Sequence, residues 1–138
     1  MSALRIGQLA ERSGTSAPTI RYYEQIGLLR PASRQGGNQR IYGRADVERL
    51  TFIRRCRAFD FSIEQVRALV ALVDDPASCC LDARDLAASH LGAVRAKMQE
   101  LEALERSLAS FVTACETSCA GGAGPDCVIL GDLKAPRG

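Results

Sequence analysis

No stretch of the 138-residue chain approaches the run of about 18 apolar residues that a membrane-crossing helix needs, which excludes a spanning segment of that kind. The opening MSALRIGQLAERSG carries charges where a secretory leader would have its apolar core, so a cytoplasmic protein is expected. Histidine occurs once, and no C-x-x-C pair occurs. A small thiol-dependent enzyme would therefore have little acid–base machinery and no dithiol redox motif. The cysteine spacings match no zinc finger. Internal repeats and long low-complexity tracts are also missing. Apolar residues (46 %) and charged residues (25 %) stand in an ordinary globular balance, which excludes disorder along the whole chain.

Lysine is absent from the first 57 residues, where eleven arginines face four acids for a net charge of +7. The remaining residues carry seven basic and twelve acidic side chains, a net of −5. A basic half joined to an acidic half points to a polyanion that meets only the first. Arginine in place of lysine favours forked, fixed contacts to phosphate.

Five of the six cysteines lie in the last sixty residues, at Cys79, Cys80, Cys115, Cys119 and Cys127. In a reducing compartment such clustering means metal or redox chemistry in preference to a disulfide framework. Cys56 stands alone on an apolar helix face and reads as a small core hydrophobe.

Ile6, Leu9 and Ala10 have helical spacing over 6–13, and Gly14 stops that helix. Ser16 caps a second helix with Pro18 in its first turn, running to about Ile26 and ending at Gly27. Two short helices around a tight turn form the pattern of a helix-turn-helix. Gly36-Gly37-Asn38 reads as a hairpin turn and Gln39–Tyr42 as a strand, together a wing. Asp46 is expected to cap a third helix, with Val47, Leu50, Ile53 and Cys56 on its apolar side. Ser62 caps a fourth, with Ile63, Val66, Leu69, Val70 and Val73 facing inward and Asp74-Asp75-Pro76 at its end.

From about Asp82 to Ala114 the only helix-weakening residue is Gly92. Leu91, Val94, Met98, Leu101, Leu104, Leu108 and Phe111 advance in steps of three and four, a coiled-coil seam. No other segment is long enough to cover that stripe, so a second copy of the chain is expected. The fold class is thus mainly α: a winged helix-turn-helix with connecting helices (1–75), a dimerisation helix (76–114), and a C-terminal loop and tail (115–138).

Thr19, Arg21, Tyr22 and Tyr23 on the second helix are the candidate DNA contacts, with Arg34, Asn38, Arg40 and Tyr42 on the wing. One of Tyr22 and Tyr23 is expected in the core instead. For metal, Cys115, Cys119 and Cys127 form C-x3-C-x7-C at the end of the long helix, a soft donor set suited to Zn, Cd, Pb, Hg or Cu(I). Cys115 and Cys119 share a helical face, and the glycines at 121, 122 and 124 let Cys127 fold back. In an antiparallel pair of helices, Cys79 and Cys80 of one copy would meet this loop of the other. One of those two adjacent thiols is expected to be a spectator. His90 reads as a helix-surface residue, and Glu116 and Asp126 as solvated charges.

IGQLAERSGTSAPTIRYYEQIGLL, the later RIY, and DVERLTFIRRCRAFDFSIEQVRALV together resemble the MerR family of transcriptional regulators over about residues 4–115. The tail resembles that of the family's metal-sensing members. The resemblance implies a homodimer built on an antiparallel coiled coil, bound to symmetric double-stranded promoter DNA where RNA polymerase works. It also implies activation by metal-driven distortion of the DNA. Matched to the family pattern, Cys80 opens the dimerisation helix, Cys115 begins the metal loop, and Cys127 closes it. Copper(I) and silver sensors carry Ser at the Cys80 position, so cysteine there favours a soft divalent ion (Zn, Cd, Pb or Hg). Iron–sulfur members pack four cysteines closely in the tail, which this chain does not.

Three features depart from the pattern: the extra Cys79, the inserted Cys119 within a longer loop, and Gln39 where an aromatic often precedes the wing arginine. Cys115 and Cys119 both stay open as the partner of Cys127, and C-x7-C from Cys119 has the copper-sensor loop length. A Cu(I)-responsive member and a thiol-redox-sensing regulator are the alternatives.

Overall fold

Leu9 and Ile20, both fully buried, anchor the first two helices to one apolar core. The structure is a computed structural model that describes residues 3–35 and 39–136. It divides into two compact units, 1–87 and 88–138.

In the first unit, α1 (Ile6–Ser13) ends at Gly14, whose φ of 68° lies in the left-handed region that glycine tolerates. Space enforces the same choice, because a Cβ at Gly14 would stand 3.3 Å from Arg54 Nε. The Arg54 guanidinium is held there by donating to the Ser13 carbonyl at 3.2 Å. Helix α2 (Ala17–Gln25) begins with Pro18 in its first turn and Ser16 as cap, the Ser16 hydroxyl accepting from the Thr19 N–H at 3.4 Å. Just beyond its end, Arg67 donates to the Ile26 carbonyl at 2.9 Å.

The wing consists of β1 (Ser33–Gln35) and β2 (Gln39–Ile41), paired antiparallel with Arg34 directly opposite Arg40. Its root is tied down by Leu4 and Tyr42, which exchange two backbone hydrogen bonds of 2.8 Å. The expected turn at 36–38, Asn38 included, lies outside the described residues.

Helix α3 (Arg44–Ala58) starts one turn earlier than Asp46 suggests. Gly43 is the cap residue, and Asp46 sits in the first turn, accepting the Gly43 N–H at 2.8 Å. A carboxylate three residues inside the helix reaches the orphan amide as readily as one at the cap, which is why the sequence misplaces the start. Helix α4 (Ile63–Asp74) does open at Ser62, in a reciprocal box with Gln65 (3.1 and 2.8 Å). Val66 is its buried residue; Val73, expected inward, is 62 % exposed. The core gathers Leu4, Leu9, Ile20, Leu29, Leu50 and Ile53, with Cys56 among them as expected.

Helix α5 (Cys80–Ser118) starts inside the 76–114 expected for it and runs four residues past the expected end, and no described residue of it is buried. Leu91, Val94, Met98, Leu101, Leu104 and Leu108 are 38–61 % exposed along it. The tail then forms a 3-10 turn (Gly124–Asp126) and a short helix α6 (Val128–Lys134), where the sequence showed only an apolar stretch. Among the described residues no helix is long and apolar enough to cross a membrane.

Candidate nucleic-acid interface and thiol cluster

Helix α2 and the wing enclose a groove of about 410 Å³ lined by Arg21, Arg34, Arg40, Glu24 and Gln25. Arg34 stands opposite Arg40 across the hairpin, so that with Arg21 three guanidinium groups line this groove beside Glu24. An arginine fork suits nucleic-acid phosphate. Tyr22 is 48 % exposed, whereas Tyr23 is 9 % exposed and belongs to the core. Thr19 is half-buried and takes a 2.8 Å hydrogen bond from the Ser16 hydroxyl in the first turn.

Tyr42 corrects the sequence reading. It is 1 % exposed, so it does not present a face to DNA. Its hydroxyl donates to Glu24 Oε1 at 2.5 Å, and Glu24 Oε2 accepts the Ala32 N–H at 3.4 Å. Burial, with the hydrogen bond to Glu24, pushes the phenol up to about 12. Glu24 was missed altogether, although an acid inside an otherwise basic stretch is the signal that could have found it. It fixes the wing to the recognition helix from within.

The second unit brings together all three tail cysteines. Helix α5 persists through Ser118, so Cys115 and Cys119 lie one turn apart with their sulfurs at 3.8 Å. The helix then breaks at Gly121, where φ is 84°, and the Gly122 N–H closes a turn onto the Cys119 carbonyl at 2.9 Å. The 3-10 turn returns the chain so that the sulfurs of Cys115, Cys119 and Cys127 all lie within 4.8 Å of one another. Each of these residues is partly buried.

Charge in the cluster is unevenly held. The backbone amide of Leu130, helped by that of Ile129, pulls the Cys127 thiol below its ordinary value, against partial desolvation. The Cys119 thiol beside it pushes Cys115 up, and desolvation adds to that shift. Three converging soft donors suit a thiophilic ion. The Cys115–Cys119 separation of 3.8 Å fits as well: zinc–sulfur bonds of about 2.3 Å in tetrahedral array put neighbouring sulfurs about 3.8 Å apart.

Cys79 and Cys80 are exposed at the start of α5 and stand outside this cluster; Cys79 Sγ accepts the Leu81 N–H at 3.5 Å. Cys56 is 8 % exposed, and burial pushes its thiol up, as befits a core residue. His90 is half-buried on α5 and is not part of the thiol group.

A winged helix-turn-helix with an arginine-lined groove, followed by a long helix carrying converging thiols, defines a DNA-binding regulator with a soft-donor site. Residues 4–72 match the model of the MerR HTH family regulatory protein, and residues 47–111 that of the MerR DNA-binding region. The chain belongs to the MerR family of transcriptional regulators, which are DNA-binding proteins and not enzymes. It is 43 % identical over 131 residues to the HTH-type transcriptional regulator HmrR of Rhizobium leguminosarum bv. viciae, covering 95 % of this chain and 98 % of that protein. ZntR of Escherichia coli K12 is 36 % identical, with 80 % and 79 % covered. Among solved structures, the regulator PbrR691 of Ralstonia metallidurans CH34 in complex with lead(II) superimposes with a TM-score of 0.83. Its sequence is 39 % identical, and the match covers 94 % of this chain and 98 % of that one.

Proposed function

We propose that the protein is a cytoplasmic, metal-responsive activator of transcription. As a homodimer it would bind a symmetric promoter operator and remodel it for RNA polymerase when a soft metal ion (Zn, Cd, Pb or Hg) occupies its thiolates. The observation that carries this reading is the convergence of Cys115, Cys119 and Cys127 within 4.8 Å at the end of a helix built for pairing. The relatives' names support it: HmrR and ZntR are regulators, and PbrR691 was solved with lead(II).

The exposed seam from Leu91 to Leu108 supports the dimer, because an apolar stripe of that length gains stability only by burial against a second copy. In an antiparallel pair, the tail of one subunit meets the start of the partner's α5. Cys115, Cys119 and Cys127 then hold the ion from one subunit, and the partner subunit's Cys80 closes on it, with Cys79 adjacent. A bound ion supplies a covalent-strength joint between subunits that hydrogen bonds between thiols do not. Arg21, Arg34 and Arg40 grip phosphates on each half-site, and Tyr22 packs beside them. The spacing of the two grips follows the dimer geometry, and DNA held at two points bends or untwists with it. A coupling of about 1–3 kcal/mol between loop closure and that geometry is enough to switch output.

Anaerobic titration of the reduced protein with Zn, Cd, Pb, Hg and Cu(I), read by sulfur-to-metal absorption and operator-dependent transcription, tests the reading. Tight divalent binding that triggers transcription is expected. Induction by Cu(I) alone moves the protein to the copper-sensing alternative, which the Cys119-x7-Cys127 spacing favours. Induction by peroxide without metal moves it to redox sensing.

A further inference from the structure

Both roots of the wing end on one carboxylate. Ala32 precedes β1 and Tyr42 follows β2, so the two residues flank the last strand pair, Ser33 with Ile41. The Ala32 N–H donates to Glu24 Oε2 and the Tyr42 hydroxyl to Glu24 Oε1. Glu24 stands one turn after Arg21 on α2, so the residue that holds the hairpin leaves the same side of the helix as the arginine beside it in the groove. The hold continues outward, because Arg40 is two residues before Tyr42 and shares its side of the strand. Burial and the bond to Glu24 raise the Tyr42 phenol, and the Arg40 guanidinium works against both through its charge and a hydrogen bond. Glu24, Tyr42 and Arg40 thus form a chain of contacts from the recognition helix to the arginine pair of the wing.

Its charge gives this carboxylate a second, opposite effect. Beside Arg21, Arg34 and Arg40 it repels a phosphate that enters the groove. As a lining residue Glu24 would weaken DNA binding, and as a clamp it would strengthen it. A two-stranded hairpin is marginal by itself, so its side chains keep a fixed place only where its roots are held. Here two hydrogen bonds to one side chain hold them. We infer that Glu24 is a positioning residue for DNA binding: the contacts of Arg34 and Arg40 with phosphate depend on its hold on Ala32 and Tyr42. This rests on the phosphate grip proposed above for the wing arginines and deepens it.

The test is a double-mutant cycle in the full-length protein, read by fluorescence anisotropy at several salt concentrations. The probe is a short DNA duplex selected from a random pool for tight binding by wild type. Glu24→Ala is expected to weaken binding about tenfold, the scale of a hydrogen bond to a charged group, and to flatten the dependence on salt. Tyr42→Phe, which keeps the buried ring and the Ala32 bond, should move both readings in the same direction. In an Arg34→Ala/Arg40→Ala background, Glu24→Ala should change affinity by less than about twofold, because its effect passes through those two side chains. A merely structural role would cost the same in either background. Should Glu24→Ala melt below the assay temperature, the same cycle run with Tyr42→Phe decides. Tighter binding by Glu24→Ala, or an equal loss in both backgrounds, overturns the inference. If Arg34→Ala/Arg40→Ala itself binds as wild type does, the grip assigned to the wing fails instead.

Discussion

The Tyr42 hydroxyl donates to the Glu24 carboxylate, joining the root of the wing to the inner side of the recognition helix. Neither residue needs to touch DNA to matter for it. Together they tie the strand end that follows Arg40 to the helix that carries Arg21.

Removing this bond by Tyr42→Phe is expected to lower stability by about 1–2 kcal/mol, since a hydrogen bond to a charged, partly buried acceptor is lost. Urea unfolding reads the loss. The wild-type bond has a pH signature too. The folded phenol titrates near 12 against about 10 unfolded, so its contribution is complete below pH 10 and fades as pH rises through 12. Tyr42→Phe should lack that alkaline decline.

Asp60 adopts a φ of 65° immediately after α3, the one non-glycine residue in the left-handed region among those described. Its N–H meets the Arg57 carbonyl at 2.9 Å, and that of Phe61 the Cys56 carbonyl at 3.3 Å, so the conformation is imposed by a helix-ending turn. Asp60→Gly is expected to gain up to about 1 kcal/mol, less the entropy glycine adds to the unfolded chain. Gly14→Ala should go the other way, meeting both strain and Arg54. Thermal melts of the two variants should therefore move in opposite directions.

Ser13 Oγ is buried, with no hydrogen-bond partner among the described residues. Ser13→Ala is expected to be neutral or stabilising by up to about 1 kcal/mol, because it removes an unanswered polar group of nearly the same shape. A loss greater than that would show that the hydroxyl is satisfied after all.

The ends of the recognition unit were legible in the sequence because their signals are local. Ser16, Ser62, Gly14 and Gly27 act within one turn of themselves. The seam on α5 was legible because periodicity is local as well. Tyr42 was not, since burial depends on Leu4 and Glu24 arriving from elsewhere in the chain. Asp46 misled because an acid at the cap and one in the first turn satisfy the same amide. In the thiol cluster the three donors could be named from spacing, but their convergence required the return turn through Gly121, which no periodicity announces.

Arg21→Gln should weaken operator binding across sequences and reduce the slope of log affinity against log salt by about 1 if it grips a phosphate. A change confined to one base position, at constant slope, would assign it to a base edge. Fluorescence anisotropy at several salt concentrations separates the two.

Leu101→Glu places a charge in the middle of the exposed seam. The dimer is expected to dissociate, with sedimentation velocity showing a monomer at concentrations where wild type is paired. Operator affinity should fall with it, because two linked half-site grips are replaced by one.

Arg54 and Arg67 reach from α3 and α4 to the last carbonyls of α1 and α2. The two helices of the helix-turn-helix are thereby held at their C-terminal ends by the two helices that follow them in the chain. The end of α2 is tied to α4 by one side chain, at the carbonyl just past its last turn.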